Sequence, residues 1–178
     1  MNICVFGASS DTIDSRYLTA GEELGRRMAQ RGHSLIFGGG ATGMMGAVVR
    51  GVTAEGGSST GIAPRFFDQE GVLYPACNRM IFTGTMRERK EKMEQMADGF
   101  IMTPGGIGTL EEFFEVLTLK QLGQHDKPIG ILNTAGCFSS LEALLKELAK
   151  TGFMTEECLQ LFFMEKDPEK LLDRIEPM

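Results

Sequence analysis

Residues 100–122 read FIMTPGGIGTLEEFFEVLTLKQL. A short apolar run over residues 100–103 is followed at once by the turn Pro104-Gly105-Gly106, then by a strongly apolar helical stretch over residues 109–122. A strand too short to alternate, delivered by a glycine turn into a helix, is the signature of a βα unit whose strand is buried on both faces. The same grammar repeats in both directions. Upstream lie strands at residues 3–6, 35–37, 59–63 and 80–82, with helices after the first, second and fourth. The first helix carries Leu18, Leu24 and Met28 on one face and ends at Gly32, the second is rich in small residues and stops at Gly56-Gly57, and the third covers residues 85–96. Downstream, residues 129–132 form a strand, and Ser139-Ser140-Leu141-Glu142 offers a capping box for a helix to Lys150. Residues 161–164 form a last strand, and Asp167-Pro168 starts a terminal helix. This alternation predicts one doubly wound, Rossmann-like α/β domain over residues 1–178, its mostly parallel sheet flanked by helices.

Composition narrows the function. The chain has 178 residues, 42% hydrophobic and 24% charged, values of an ordinary globular domain. Its net charge of −6 argues against an extended nucleic-acid contact, which calls for a basic face. The 4 cysteines (Cys4, Cys77, Cys137 and Cys158) form no CxxC pair and read as buried, reduced thiols. No run approaches the ~20 apolar residues of a membrane span, and MNICVFGASS lacks a basic start, so the expectation is a cytoplasmic protein that engages no membrane. His33 and His125 stand alone, so neither a metal nor another cofactor is expected.

The 23 glycines exceed the ~7% of average usage, and they concentrate where strands end. Gly7-Ala8-Ser9-Ser10, residues 38–43 and residues 103–109 all fall at the carboxyl edge of the expected sheet, where such folds bind ligands. Any one of these loops is explained by a tight strand-to-helix turn. Three on one edge point to a phosphate or ribose held by close backbone and helix N-termini. Residues 38–43, GGGATG, formally match GxGxxG, but they follow the second strand, and Ala63-Pro64-Arg65 closes the next strand with no acid for a ribose hydroxyl. A dehydrogenase is a poor fit, and no GK[ST] element is present for a P-loop.

The charged residues supply the chemistry. Met86-Arg87-Glu88-Arg89-Lys90 alone is an ordinary solvated helix face, and Glu111-Glu112 alone complements a helix dipole. Together, TMRERKEKMEQMADGFIMTPGGIGTLEE resembles the signature of the LOG family of cytokinin riboside 5'-monophosphate phosphoribohydrolases, an Arg-Lys dipeptide followed by PGGxGTxxE. The resemblance extends over nearly the whole chain, from the Ser9-Ser10 loop through GGG…GMMG to His125–Pro128. It implies Arg89 and Glu112 as the catalytic pair, Met86 and Lys90 lining the site, and Gly105, Gly106, Gly108 and Thr109 holding phosphate. Ser9, Gly39, Gly40 and Thr42 would touch the nucleotide more loosely. The chain departs from the family with GASS in place of CGSS and with Thr118-Leu119-Lys120 where many relatives carry an aromatic residue, which leaves the preferred base open.

Breaking a ribosyl C–N bond develops positive charge at the anomeric carbon, which a carboxylate stabilises while it aims or deprotonates water. Glu112 would fill that role, with Arg89 keeping it ionised; Glu111, about 100° away on a helix, would face solvent or a neighbouring chain. Two alternatives stand beside hydrolysis of a nucleoside monophosphate: a carrier of a nucleotide or molybdopterin-type cofactor, and a hydrolase that removes the phosphate. Phe113, Phe114, Val116, Leu117, Leu119 and Leu122 leave one helix apolar around much of its circumference, which suits either burial or a seam; the family likeness favours a homodimer.

Overall fold

The first strand, β1 (Asn2–Phe6), divides the core in two. Ile3 and Val5 enter one apolar cluster, Cys4 and Phe6 the other, as the twofold period of an extended chain requires. The computed structural model describes residues 1–176. After β1 come α1 (Ser15–Gln30), β2 (Ser34–Phe37), α2 (Gly43–Ala54), β3 (Ser59–Pro64), β4 (Arg79–Thr83), α3 (Met86–Met96), β5 (Gly99–Met102), α4 (Ile107–Gln121), β6 (Ile129–Leu132), α5 (Ser139–Lys150), β7 (Phe163–Glu165) and α6 (Pro168–Ile175). All the strands run parallel, in the order β4-β3-β2-β1-β5-β6-β7. The chain winds outward from β1 to β4, then returns to lay β5 against the other side of β1. The strand order therefore reverses between β1 and β5, the place where sheets of this kind open a ligand crevice.

Leu24 and Met28 of α1, Val48, Val49 and Val52 of α2, and Leu171, Leu172 and Ile175 of α6 cover the face that carries Ile3 and Val5. Met93 of α3 and Phe113, Val116 and Leu117 of α4 cover the opposite face. α1 and α2 lie in backbone contact: a methyl on Gly25 would run into the Val48 carbonyl, and one on Gly51 into the Glu22 carbonyl. Part of the glycine excess is thus helix packing and not ligand binding.

Several helices start at a side-chain cap, one of them, Asp167, expected from the sequence. Asp14 accepts from the Arg16 N–H at 2.9 Å, and Asp167 from the Lys170 N–H at 3.1 Å. At α3, Thr85 Oγ1 accepts from the Glu88 N–H at 3.2 Å while Glu88 reaches back to the Gly84 N–H at 2.8 Å. The capping box expected at Ser139 does not form. Ser139 already lies inside α5, the N-cap is Phe138, and Phe138 donates its N–H to Asn133 Oδ1 at 2.8 Å, while Glu142 pairs with Lys146 at 2.6 Å. The last strand is Phe163–Glu165, not residues 161–164. α4 starts two residues before Thr109, because Ile107 and Gly108 take helical geometry despite glycine's poor propensity. All four cysteines are free, but only Cys4 and Cys158 are buried, so Cys137, which is exposed, corrects the reading of four buried thiols. Among the described residues no helix is long and apolar enough to cross a membrane.

Candidate active site

The three glycine-bearing loops meet. Gly7, Ala8, Ser9 and Ser10 after β1, Gly38, Gly40 and Thr42 after β2, and Gly106, Gly108 and Thr109 at the start of α4 line one cavity of about 700 Å³. A fourth wall comes from the segment between β3 and β4. It is fastened to the loop after β2 by Ala41 N–H donating to Val72 O at 3.0 Å and Tyr74 N–H donating to Gly39 O at 2.8 Å.

Two helix starts face this space, and they differ. At α2, Gly43 N–H donates to Asp11 Oδ1 at 2.8 Å and Met45 N–H to Ala8 O at 3.3 Å, while the Thr42 hydroxyl donates to Ser9 O at 2.6 Å. These groups tie the two loops together. At α4 the N-cap is Gly106, which has no side chain to offer, and no acceptor among the described residues takes the N–H groups of Ile107, Gly108 or Thr109. Unpaired donors at the positive end of a 15-residue helix form a seat for an anion.

Beside that seat stands an ion pair. Arg89 of α3 donates from Nη2 to Glu112 Oε1 of α4 at 2.7 Å, and from Nε to the Ile62 carbonyl of β3 at 3.3 Å. Each residue is only 8% exposed, yet both line the cavity. Burial pushes the Glu112 carboxyl up and Arg89 pulls it down; burial wins, so the carboxyl lies above its ordinary 4.5. The expectation that Arg89 simply keeps Glu112 ionised is therefore refined: Arg89 offsets part of the burial effect. Behind the pair, Cys4 is fully buried in the core and its thiol is held well above the usual range, chiefly by burial, so it is inert.

The other expected residues are placed unevenly. Ser9, Gly40, Thr42, Met86, Gly106, Gly108 and Thr109 line the cavity. Gly39 does not; its φ of 80° and the Met80 side chain against it give that glycine a packing reason. Gly105 sits in the turn behind the lining residues. Lys90 points to carboxylates: it pairs with Glu111 and, at 2.7 Å, with Glu115. Glu111 lines the cavity mouth under that tether, half exposed, a correction to the view that it faces only solvent or a neighbour. Burial would lower the Lys90 amine, but its two carboxylate partners outweigh it and raise it.

Met45, Phe67, Val72 and Leu73, which sequence reasoning did not assign to a site, join Met86 as an apolar wall. The signal for one of them was present: Phe66-Phe67, adjacent aromatics just past the carboxyl end of β3, both exposed. Both histidines are engaged elsewhere. His33 bonds Glu176 at 2.7 Å and His125 bonds the Val116 carbonyl at 3.0 Å.

The family described as "Possible lysine decarboxylase" matches residues 45–175. Cytokinin riboside 5'-monophosphate phosphoribohydrolase LOG4 of Arabidopsis thaliana is 34% identical over 174 residues, 98% of this chain and 81% of that protein. This chain belongs to the LOG family. A rice relative (Oryza sativa subsp. japonica), "Probable cytokinin riboside 5'-monophosphate phosphoribohydrolase LOGL5", is 35% identical over 98% of the chain and 71% of its own length. Among solved structures, the molybdenum cofactor binding protein of Rippkaea orientalis superposes with a TM-score of 0.76 at 24% identity, covering 98% of this chain and 94% of that one. The molybdenum cofactor carrier protein of Chlamydomonas reinhardtii gives 0.76 at 22%, over 98% and 94%. At such identity these structures share the LOG chain's fold and say nothing of its ligand.

Proposed function

We propose that this LOG-family chain hydrolyses the N-glycosidic bond of a nucleoside 5'-monophosphate, AMP or a cytokinin riboside 5'-monophosphate, giving free base and ribose 5-phosphate. One observation carries the reading: a buried Arg89–Glu112 pair opens into the same cavity as the unpaired N–H groups of α4. Phosphate at Gly106, Gly108 and Thr109 fixes the ribose, so the anomeric carbon meets Glu112 without a search. As the C–N bond lengthens, the Glu112 carboxylate stabilises the positive charge on the sugar and takes a proton from the water that adds to that carbon. The base leaves carrying one proton, balanced over the cycle by the proton that Glu112 took from the water, and ribose 5-phosphate remains. Met45, Phe67, Val72, Leu73 and Met86 suit the flat face of a purine and an apolar substituent on it.

The names of the LOG relatives support this reading over a carrier. Chromatography after incubation with AMP and with an N6-alkyl-AMP separates the readings: free base supports it, adenosine would indicate a phosphatase, and unchanged nucleotide with measurable binding a carrier. The chain also acts, in this proposal, as a homodimer. Ile107 is 87% exposed and Leu122 66%, at the two ends of α4 with Phe114 between them, an unusual amount of bare apolar surface for one helix.

A further inference from the structure

Gly38 follows β2 directly, and beyond its place in the glycine loop of residues 38–43 it was assigned no role of its own. A Cβ built on it would lie 2.7 Å from Arg89 Nη2, 3.5 Å from Arg89 Cζ and 3.2 Å from Met45 Sδ. Nη2 is the atom that donates to Glu112 Oε1 at 2.7 Å. The guanidinium is thus enclosed: Glu112 on one side, the Ile62 carbonyl on Nε, and the bare Cα of Gly38 against the nitrogen that does the pairing. Side-chain carbons do not approach a nitrogen to 2.7 Å, so any side chain here makes the guanidinium give way. The flexible partner is the arginine, whose displacement costs the ion pair and not the backbone.

We propose that Gly38 is a positioning residue for the reaction: its missing side chain is the slot that sets the Arg89 guanidinium against Glu112. The inference rests on the functional reading above for its kinetic consequence, but the geometry stands without it. Other charged groups near Glu112 are Lys90 on α3 and Glu111 on its own helix, with the Cys4 thiol behind it on β1; the atoms nearest a side chain at residue 38 belong instead to Arg89 and Met45. A change at Gly38 therefore reaches Glu112 through Arg89.

The test is a double-mutant cycle of Gly38→Ala with Arg89→Lys, whose single ammonium places no second nitrogen against residue 38. The rate of base release from AMP is measured across pH, and the titration of Glu112 is followed by carbon NMR of 13C-labelled glutamate, assigned with Glu112→Gln. Expected: Gly38→Ala lowers kcat at least tenfold with little change in KM, and moves both the acid limb and the Glu112 titration to higher pH. In the Arg89→Lys background the same substitution costs less than threefold. An equal cost in both backgrounds, or an unmoved Glu112 titration, overturns the proposal. If Gly38→Ala alone fails to fold while the double variant folds, the clash with Arg89 is upheld; if neither folds, the role is one of backbone alone and the proposal is wrong. If the wild type releases no base, the functional reading fails while the titration still decides the role of Gly38.

Discussion

Replacing Glu112 by Gln keeps the shape of a buried side chain and removes its charge. A unit charge ~4 Å from the anomeric carbon, in surroundings of effective dielectric ~20, interacts with a full positive charge by about 4 kcal/mol. An oxocarbenium-like state carries part of that charge, which leaves about 3 kcal/mol, roughly 10²-fold in rate. Loss of proton transfer to the carboxylate adds up to a further ~10²-fold on top, so kcat for AMP is expected to fall by ~10²–10⁴. KM should stay within a few-fold, because the proposed site seats phosphate at α4 and not at Glu112. Stability changes less. Gln still accepts from Arg89, so the loss is that of a charged hydrogen bond, about 1–3 kcal/mol against a total of ~5–15, and the variant stays folded. The wild type should also lose activity as pH falls through a Glu112 pKa above the ordinary 4.5, since the reaction needs the ionised form; the variant should lack that limb. Base release is followed by chromatography, folding by circular dichroism. A folded Glu112→Gln protein with kcat within a few-fold of wild type would refute the assignment.

Gly108→Ala puts its methyl where no protein atom lies within 4 Å, inside the first turn of α4. It should raise stability by ~0.5–1 kcal/mol in a thermal melt and yet raise KM for AMP at least tenfold, because the proposed function puts the phosphate in that open space. Glu94, half-buried and facing Glu115, is pushed up to about 7, chiefly by burial. A carboxylate raised in the folded state favours folding below the unfolded value near 4.5, and that benefit disappears as pH rises toward 7. Glu94→Gln should therefore raise the melting temperature at pH 8 and leave it unchanged at pH 4; equal effects at both would contradict this. Phe114→Asp should convert a dimer to a monomer in light scattering, and a wild type that is itself monomeric would end the dimer proposal.

The sheet was legible because parallel strands buried on both faces read as short apolar runs, and each glycine turn marked where one ended. What was not legible has physical causes. The start of α4 was hidden because Gly106 and Gly108, poor helix formers, supply the open donors a ligand needs, so local propensity and site chemistry pull against each other. Arg89 and Glu112 were found through their motif; no periodicity says that residues on α3 and α4 meet, since that contact depends on where β5 inserts. The ion pairs of Lys90 were not legible because its partners Glu111 and Glu115 lie on another helix. The apolar wall escaped notice because Phe67, Val72 and Leu73 come from an irregular segment whose place is set by long-range ties, to the loop after β2 and, through Asn78, to Ser59 at the start of β3.

The return of the chain to β1 sets a timetable for synthesis. β1 bonds to β2 early, but its other edge bonds to β5, with Phe6 opposite Met102. On a ribosome the first four strands are complete while the central strand still shows a bare row of amides and carbonyls to solvent, an invitation to wrong pairing. Closing that edge joins segments ~100 residues apart, a slow step in any fold with such distant contacts. Arg89 on α3 and Glu112 on α4 flank β5 in the chain, so they come together in the same event that seals the sheet, and a chain stalled before it has neither a finished core nor that ion pair.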